Sequence, residues 1–343
     1  MVPFKYSALN AKIRGMYGKL LSRDQLCELS QVHSVGEAVA YLRQTRDYFD
    51  ILHDTTDSEI HRDMLERLLK RSLFEDYHKI LFYLDKNDKS FLNALTRKYE
   101  ITILKSMIRA CFAGKSLDFF HLSVPPRMKE MLEFDLDKLS QATDVEDLIA
   151  GLKGTPFYRM LQMLYSRGKD PNLFDMEITL DIYYFTMLWN TIEKQLSGRS
   201  KRDIQKCIGA EADLLNLFWI YRCKKYYKME SELIFAILIP VHFKLKQGAI
   251  TEIIKSDDVD LSQFPILDPY HELFEKSDEG TLKRMIDTYL MRLYNHIAAS
   301  GKNLTMVLAY YQAKELETDQ VSTIIEGVRY GLPPDEILGY AVF

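Results

Sequence analysis

The strongest constraint on the fold of this 343-residue chain is that its sequence repeats at an offset of 110 residues. Leu29-Ser30-Gln31 returns as Leu139-Ser140-Gln141, and each copy is followed by a helix-capping pattern. The further matched pairs are Ser34 and Asp144, Glu37 and Asp147, Val39 and Ile149, Ala40 and Ala150, Leu42 and Leu152, Thr45 and Thr155, and Tyr48 and Tyr158. Solenoid repeats are shorter, at roughly 20–50 residues. The spacing therefore predicts a duplicated helical domain, with chance similarity between helical segments as the alternative.

Hydrophobic periodicity predicts helices along almost the whole chain. Between Leu65 and Asp76 the apolar residues recur at three- and four-residue intervals. The same kind of pattern predicts the helices 58–84, 91–113, 177–197, 210–228, 281–299 and 303–329. No alternating strand pattern is bounded by Asn-Gly or Asp-Gly, and only 15 Gly and 10 Pro are available for turns. The sequence therefore predicts an all-α protein.

A helix that opens with an acid and later carries an arginine recurs once in each repeat. The pairs are Glu100 with Arg109, Glu211 with Arg222, and Glu317 with Arg329. Two interpretations stay open. The pairs either form salt bridges between packed helices, or they are presented to a central partner by equivalent helices around an axis. Arginine suits the second role because its guanidinium forms forked pairs with carboxylates.

The repeats predict three superposable helical units, at 1–130, 131–230 and 231–343. A weaker third copy of the short repeat runs from Ile253 through Asp258 to Tyr270. Ser123-Val124-Pro125-Pro126 and the region of Ile239-Pro240 are the expected breaks between units, and 167–172 is an expected loop. Gly331 followed by Pro333 is expected to end the last long helix.

Composition limits the class of protein. The net charge of -4 gives no general basic bias, so we expect no nucleic-acid partner. The four cysteines form no C-x-x-C pair and indicate a reduced, intracellular protein: Cys27, Cys111, Cys207 and Cys223. The longest apolar run, Leu233–Val241, is far shorter than the roughly 20 residues that span a bilayer. We therefore expect no direct membrane span and only a peripheral membrane role.

No motif for catalysis or for a cofactor is complete. Ala113-Gly114-Lys115-Ser116 resembles the end of a P-loop, but Arg109 stands where that pattern requires glycine. A helix C-terminal glycine followed by a loop explains Gly114 better. His271–Glu275 begins like a zinc-protease helix and lacks the second histidine, and Asp257-Asp258 fits caps and turns. We therefore expect no cofactor, no bound metal and no enzymatic activity.

Two basic clusters have three possible roles. The first comprises Lys194, Arg199, Lys201, Arg202 and Lys206; the second comprises Arg222, Lys224, Lys225 and Lys228 with Tyr221, Tyr226 and Tyr227. Basic and aromatic residues together can bind nucleic acid. A solvated helix face, or a surface for an acidic protein partner, fits the negative net charge better.

Three stretches, in this order, carry a resemblance to a known family. They are Phe4–Arg14 followed by Leu20-Leu21-Ser22, then Glu211-x-Asp213-x-x-Asn216-Leu217, then Leu238-Ile239-Pro240. Together with the length and the repeats, they resemble the C subunit of the V/A-type rotary ATPases (ATP synthases), which is homologous to the d subunit of eukaryotic V-ATPases. In this family a glycine often follows the Leu-Ile-Pro, whereas Val241 and His242 follow here.

The resemblance implies a funnel of three helical domains related by pseudo-threefold symmetry. Such a funnel rests on the membrane rotor ring at the cytoplasmic face and receives the central shaft, formed by the D and F subunits. ATP hydrolysis and proton or sodium transport occur in other subunits, so this one transmits torque. Under this interpretation Glu100, Arg109, Glu211, Arg222, Glu317 and Arg329 are candidates for the shaft interface.

Two other classes of function stay open. A generic helical scaffold that binds proteins would stack its units in a line rather than closing them around an axis. An all-α, metal-free enzyme would need a deep pocket with convergent histidines or paired acids, and the sequence offers neither at a telling spacing.

Overall fold

A computed structural model describes residues 6–52, 62–120, 124, 129–167, 172–256, 264, 270, 273, 279–300 and 304–340. Within these ranges the regular backbone is helical and contains no strand, so the predicted all-α class is confirmed. Several predictions fall on residues outside the described ranges. These are most of the expected break at 123–126, the centre of the loop at 167–172, Asp257-Asp258, and most of His271–Glu275.

Short helices precede pairs of long helices in the described chain. The first part contains α1 (Ser7–Tyr17), α2 (Arg23–Ser30), α3 (Val35–Arg43), α4 (Phe49–Leu52), α5 (Arg62–Leu81) and α6 (Lys86–Phe112). The middle part contains α7 (Leu136–Leu139), α8 (Val145–Gly151), α9 (Pro156–Arg167), α10 (Leu173–Gln195), α11 (Gly198–Arg222) and a π-helix (Cys223–Tyr227). The last part contains α12 (Ser231–Ala236), α13 (Gln247–Lys255), α14 (Glu279–Ser300), α15 (Thr305–Arg329) and α16 (Pro334–Tyr340).

The long helices agree with the predicted ones. The pairs α5 and α6, α10 and α11, and α14 and α15 recur at the spacing of the sequence repeat. The largest difference is at α11, which begins at Gly198 instead of residue 210. Gly198 has a φ of 61°, a left-handed conformation that glycine adopts readily, so the chain can turn directly into the helix there. Ile204, Cys207 and Ile208 then provide a buried helical face that neighbouring basic residues hide in the sequence.

The predicted helix ends are confirmed at four places. Ser34 accepts from the Glu37 N–H at 3.1 Å, and Asp144 accepts from the Asp147 N–H at 2.9 Å. In a capping box the Glu37 carboxylate would also accept from the Ser34 N–H. Here it accepts from the N–H of the preceding residue, His33. Gly114 and Gly331 lie just beyond the ends of α6 and α15. Their φ values of 62° and 68° are the left-handed conformation typical of a glycine that ends a helix.

Packing groups the chain into two compact units. Unit 1 comprises Met1–Asp85 and Arg284–Phe343, and unit 2 comprises Lys86–Lys283. The three-unit division at 1–130, 131–230 and 231–343 rests on sequence repetition, and it stays a prediction. The funnel arrangement stays a prediction in the same way.

Unit 1 has a core built from both ends of the chain. Leu29, Leu42 and Tyr48 are fully buried in it and pack with Val321 and Ile324 of α15. Each such side chain contributes roughly 1.5–3 kcal/mol by leaving water. The short N-terminal helices are therefore stable only when α15 covers their apolar faces.

In unit 2, α6 packs along α10, and α11 is held against the segment before α13. The Tyr184 hydroxyl of α10 donates to the Leu95 carbonyl of α6 at 3.3 Å. Gly209 of α11 lies against Phe243, and a Cβ added to Gly209 would lie 2.5 Å from the Phe243 Cβ. Glycine at this position therefore allows the Phe243 segment to lie directly on α11.

Candidate functional site

Two of the three predicted acids are buried inside their own units. Glu100 accepts from Arg97 at 2.7 Å and from the backbone N–H of Glu133, shortly before α7. Glu317 accepts from the Lys314 ammonium at 2.7 Å and from the backbone N–H of Leu21, just before α2. Each carboxylate therefore fixes the segment that leads into a short helix.

The corresponding buried acid on α11 is Asp213, whereas the predicted residue, Glu211, is only partly buried. Asp213 accepts from the backbone N–H groups of Lys244 at 2.8 Å, Leu245 at 3.0 Å and Phe243 at 3.2 Å. These residues lead into α13. We call Glu100, Asp213 and Glu317 the carboxylate clamps.

Two of the carboxylate clamps each accept a hydrogen bond from a tyrosine of the sequence repeat. The Tyr48 hydroxyl donates to Glu317 at 2.7 Å, and the Tyr270 hydroxyl donates to Asp213 at 3.3 Å. Tyr48 belongs to the first copy of the repeat, and Tyr270 ends the weak third copy. The repeated tyrosine therefore has the same hydrogen-bonding role in both copies.

Burial raises the pKa of Asp213 above its ordinary value, and the three backbone N–H donors oppose this effect. Burial also raises the pKa of Glu100, opposed by Arg97 and by the Glu133 N–H. The donors stabilise the ionised carboxylates, but they do not fully offset the loss of water. The carboxylate oxygens of Glu100 and Asp213 accept hydrogen bonds from backbone N–H groups of distant segments. Each acid therefore connects its long helix to another segment of the chain.

Asn216 provides a second brace one turn after Asp213. Its side chain accepts from the Ile239 N–H at 2.8 Å and donates to the Ile239 carbonyl at 3.0 Å. Both groups are buried, so the two bonds satisfy backbone polar groups that would otherwise lack partners in the interior. The motif Glu211–Leu217 and the motif Leu238–Pro240, which are separate in the sequence, are therefore one structural feature.

The three predicted arginines lie near the C-terminal ends of α6, α11 and α15. Arg109 pairs with Glu177 of α10, and its side chain is 54% exposed. Arg222 packs over the rings of Phe218 and Tyr227, each at 5.7 Å. Within the described residues the structure places these arginines nearer the surface than Glu100 and Glu317.

Arg329 ends α15 in a similar way to Arg222. Its guanidinium lies 4.6 Å from the centre of the Tyr330 ring and pairs with Glu326 at 3.0 Å. Cations at a helix C-terminus are favourable because they offset the negative end of the helix dipole. The arginines thus fit both interpretations from the sequence, a structural pair and a surface for a partner.

A buried charged cluster in unit 1 was missed by the sequence analysis. The Lys314 ammonium contacts Asp47 and Glu317, and it lies 3.2 Å from the Tyr48 hydroxyl. Burial alone lowers the pKa of Lys314, but Glu317 and Asp47 outweigh burial and raise it. A signal was present, because Tyr310, Lys314, Glu317 and Val321 share one helical face with buried apolar residues.

A groove of about 550 Å³, lined mainly by residues with polar side chains, runs between α6 and α10 in unit 2. Its lining includes Arg97, Tyr183, Thr186, Asn190 and Lys194. Among the described residues, no group of histidines, cysteines and acids could hold a metal ion. No described helix is both long and apolar enough to cross a membrane.

A family model described as ATP synthase (C/AC39) subunit matches residues 9–340. The chain belongs to this family. The resemblance to the C subunit of V/A-type ATPases, predicted from the motifs and their order, is therefore confirmed.

Several relatives of the same type match over nearly the whole chain. The C subunit of the A-type ATP synthase of Methanocaldococcus jannaschii is 25% identical over 343 residues, which are 97% of this chain and 85% of the relative. The C subunit of the A-type ATP synthase of Thermococcus kodakarensis is 23% identical over 349 residues, which are 97% of this chain and 89% of the relative. The similarity therefore extends over both compact units.

The departure from the family pattern after Leu238-Ile239-Pro240 is local. Val241 is buried and His242 is exposed, and the next residue, Phe243, donates its N–H to Asp213. Hydrogen bonds to Asn216 and Asp213 thus hold the backbone on both sides of Val241 and His242. A glycine is not required for the segment to reach α11.

Proposed function

We propose that this chain is the non-catalytic central-stalk subunit of a rotary V/A-type ATPase. It couples the shaft of the D and F subunits to the membrane rotor ring during ATP-linked proton or sodium transport, at the cytoplasmic face. The observation that carries the proposal is the family match across residues 9–340. The three-domain funnel expected from the sequence is part of this proposal.

The carboxylate clamps give a mechanical reason why this chain can transmit torque. A subunit that carries torque must resist sliding between its helices and the loops that connect them. Glu100, Asp213 and Glu317 each bond a long helix to the backbone of a segment distant in sequence. Packed interiors transmit strain because they have low compressibility, and these bonds extend that stiffness to the connecting segments.

The proposed shaft interface keeps the six predicted residues in two roles. Arg109, Arg222 and Arg329, at the ends of long helices, make the contact with carboxylates of the shaft. Glu100, Glu211 and Glu317 lie on the same helices, and Glu100 and Glu317 brace those helices to the segments before α7 and α2. In a threefold arrangement, equivalent helix ends occupy equivalent places, so one set can surround the foot of the shaft.

Charge reversal tests this interface. The variant carries Arg109→Glu, Arg222→Glu and Arg329→Glu, and the control carries Lys19→Glu, Lys89→Glu and Lys153→Glu at exposed positions. Binding to purified D/F shaft is measured for both, after circular dichroism shows equal helicity. We expect at least about tenfold weaker binding for the arginine variant, since charge-assisted bonds contribute about 1.5–3 kcal/mol each.

Two outcomes would contradict different parts of the proposal. Equal binding by the two variants would place the shaft interface elsewhere while leaving the coupling role intact. A wild-type chain that binds neither the shaft nor the ring would contradict the coupling role. It would favour the alternative of a helical protein-binding scaffold unrelated to rotary motors.

A further inference from the structure

The end of α11 has an unusual backbone. The helix widens into the π-helix Cys223–Tyr227, and Lys228 follows with a φ of 48°. The Met229 N–H then donates to the Cys223 carbonyl at 3.0 Å, which closes the turn. Residues other than glycine seldom adopt positive φ, and single π-helical turns occur frequently at functional sites.

This backbone exposes aromatic side chains. Tyr226 is 48% exposed and Tyr227 is 52% exposed, although both have large apolar rings. Phe174, in the first turn of α10, is 36% exposed, and its ring lies 6.2 Å from that of Tyr227. The end of α11 and the start of α10 therefore form one surface within unit 2.

The same segment concentrates positive charge. Residues 222–228 contain four cations and no acid, in a chain whose net charge is -4. Lys224 is directed inward, since its ammonium donates to the Ile253 and Ser256 carbonyls at 2.7 and 2.8 Å. Lys225 and Lys228 are exposed. A surface with this positive charge is complementary to a negatively charged partner.

Two of the charged groups are held in place by rings. Arg222 donates to the Tyr227 hydroxyl at 3.1 Å while packing over its ring. The Lys225 ammonium lies 4.8 Å from the centre of the Tyr221 ring and 5.5 Å from that of Tyr226. Side chains positioned in advance lose less conformational entropy when a partner binds.

We propose that the aromatic–basic patch, formed by Phe174, Arg222, Lys225, Tyr226, Tyr227 and Lys228, docks a carboxylate-rich segment of a partner protein. Tyrosine and arginine are among the residue types that most often dominate the energy of protein interfaces. The partner is a subunit of the proposed rotary complex, so the inference rests on the proposed function.

A protein segment fits the patch better than a membrane surface does. Attraction to anionic lipid typically uses clusters of roughly 4–8 Lys or Arg, whereas the patch provides Arg222, Lys225 and Lys228. Most of the patch lies on the single π-helical turn and the residue after it, so it lacks the long apolar face of a helix that lies in the membrane interface. Carboxylates paired with these cations would lie beside the tyrosine rings, where water is partly excluded.

The test compares two charge reversals at opposite ends of α11 and its π-helical extension. The patch variant is Lys225→Glu with Lys228→Glu, and the control is Arg202→Glu with Lys206→Glu, both exposed on α11. Both variants change the net charge equally. Binding of each full-length chain is measured to purified D/F shaft, to the rotor ring in nanodiscs, and to vesicles of phosphatidylcholine with phosphatidylserine, at low and high salt.

We expect the patch variant to bind the shaft or the ring at least about tenfold more weakly than the control, with the difference reduced at high salt. Unchanged binding to both probes, with wild-type affinity intact, would overturn the inference and leave the proposed function standing. A loss confined to the phosphatidylserine vesicles would also overturn it, in favour of a lipid contact. A wild-type chain that binds neither protein probe would contradict the proposed function and this inference together.

Discussion

The Lys314 ammonium lies 2.7 Å from the Glu317 carboxylate, and both side chains are buried inside unit 1. Asp47 also contacts this ammonium, so one cation compensates two acids where water is excluded. The cluster joins α15 to the short segment between α3 and α4. It is therefore a point at which the two ends of the chain depend on each other.

Replacing Lys314 with methionine should destabilise unit 1 strongly. The side chain of methionine fills similar space, but Asp47 and Glu317 are then left buried without their cation. Removing one partner of a buried pair costs about 3–5 kcal/mol. Urea denaturation followed by circular dichroism measures the change, with Lys206→Met on the exposed surface as control. A loss below about 1 kcal/mol would show that the acids reach water.

The same variant should regain stability as the pH falls. Burial raises the pKa of Asp47, and Lys314 opposes that effect. Without Lys314 the folded-state pKa of Asp47 rises further above its unfolded value, so protonation favours the folded state and stability increases as pH falls through the raised pKa. Denaturation midpoints between about pH 5 and 8 should rise toward acid more steeply for Lys314→Met than for wild type. Parallel pH profiles would contradict this.

Asp213 should matter more for stability than Glu211. Asp213→Ala removes the acceptor from three backbone N–H groups, and leaving a buried polar group unpaired costs about 1–3 kcal/mol. Glu211→Ala, two residues away and partly buried, is expected to cost less than about 1 kcal/mol. Denaturation of the two variants measures the difference. A larger loss in Glu211→Ala would show that the wrong acid has been assigned to the clamp.

Gly209 should not tolerate a methyl group. In Gly209→Ala the new Cβ would lie 2.5 Å from the Phe243 Cβ, and such overpacking costs about 1–3 kcal/mol. Gly248→Ala is the matched control, because no atom lies within 4 Å of its added Cβ and alanine favours the helix. We expect thermal unfolding temperatures to fall in the first variant and to rise slightly in the second. Equal shifts would mean that the Phe243 segment moves freely.

Periodicity and capping predicted the helices because these signals are local in the sequence. Ser34 and Asp144 cap their helices as expected, and the paired long helices lie where the repeat placed them. The carboxylate clamps could not be assigned in the same way. Whether Glu211 or Asp213 is buried depends on which face of α11 meets the Phe243 segment, and this is a long-range contact.

The burial of Lys314 also could not be predicted from the local sequence. A lysine in a helical sequence normally indicates an exposed face, because burying a charge is costly unless it is paired. Its partner Asp47 is far away along the chain, so the pair becomes recognisable only in the folded structure. The candidate shaft interface likewise stays a prediction, since its test needs the partner.

The coupling role is tested most directly by asking whether this chain bridges the shaft and the ring. Purified D/F shaft is mixed with membranes that contain the rotor ring, with or without the chain, and shaft that sediments with the membranes is measured. We predict that the shaft is retained only when the chain is present, in proportion to the chain that binds. Equal retention of the shaft with and without the chain would contradict the proposed coupling role.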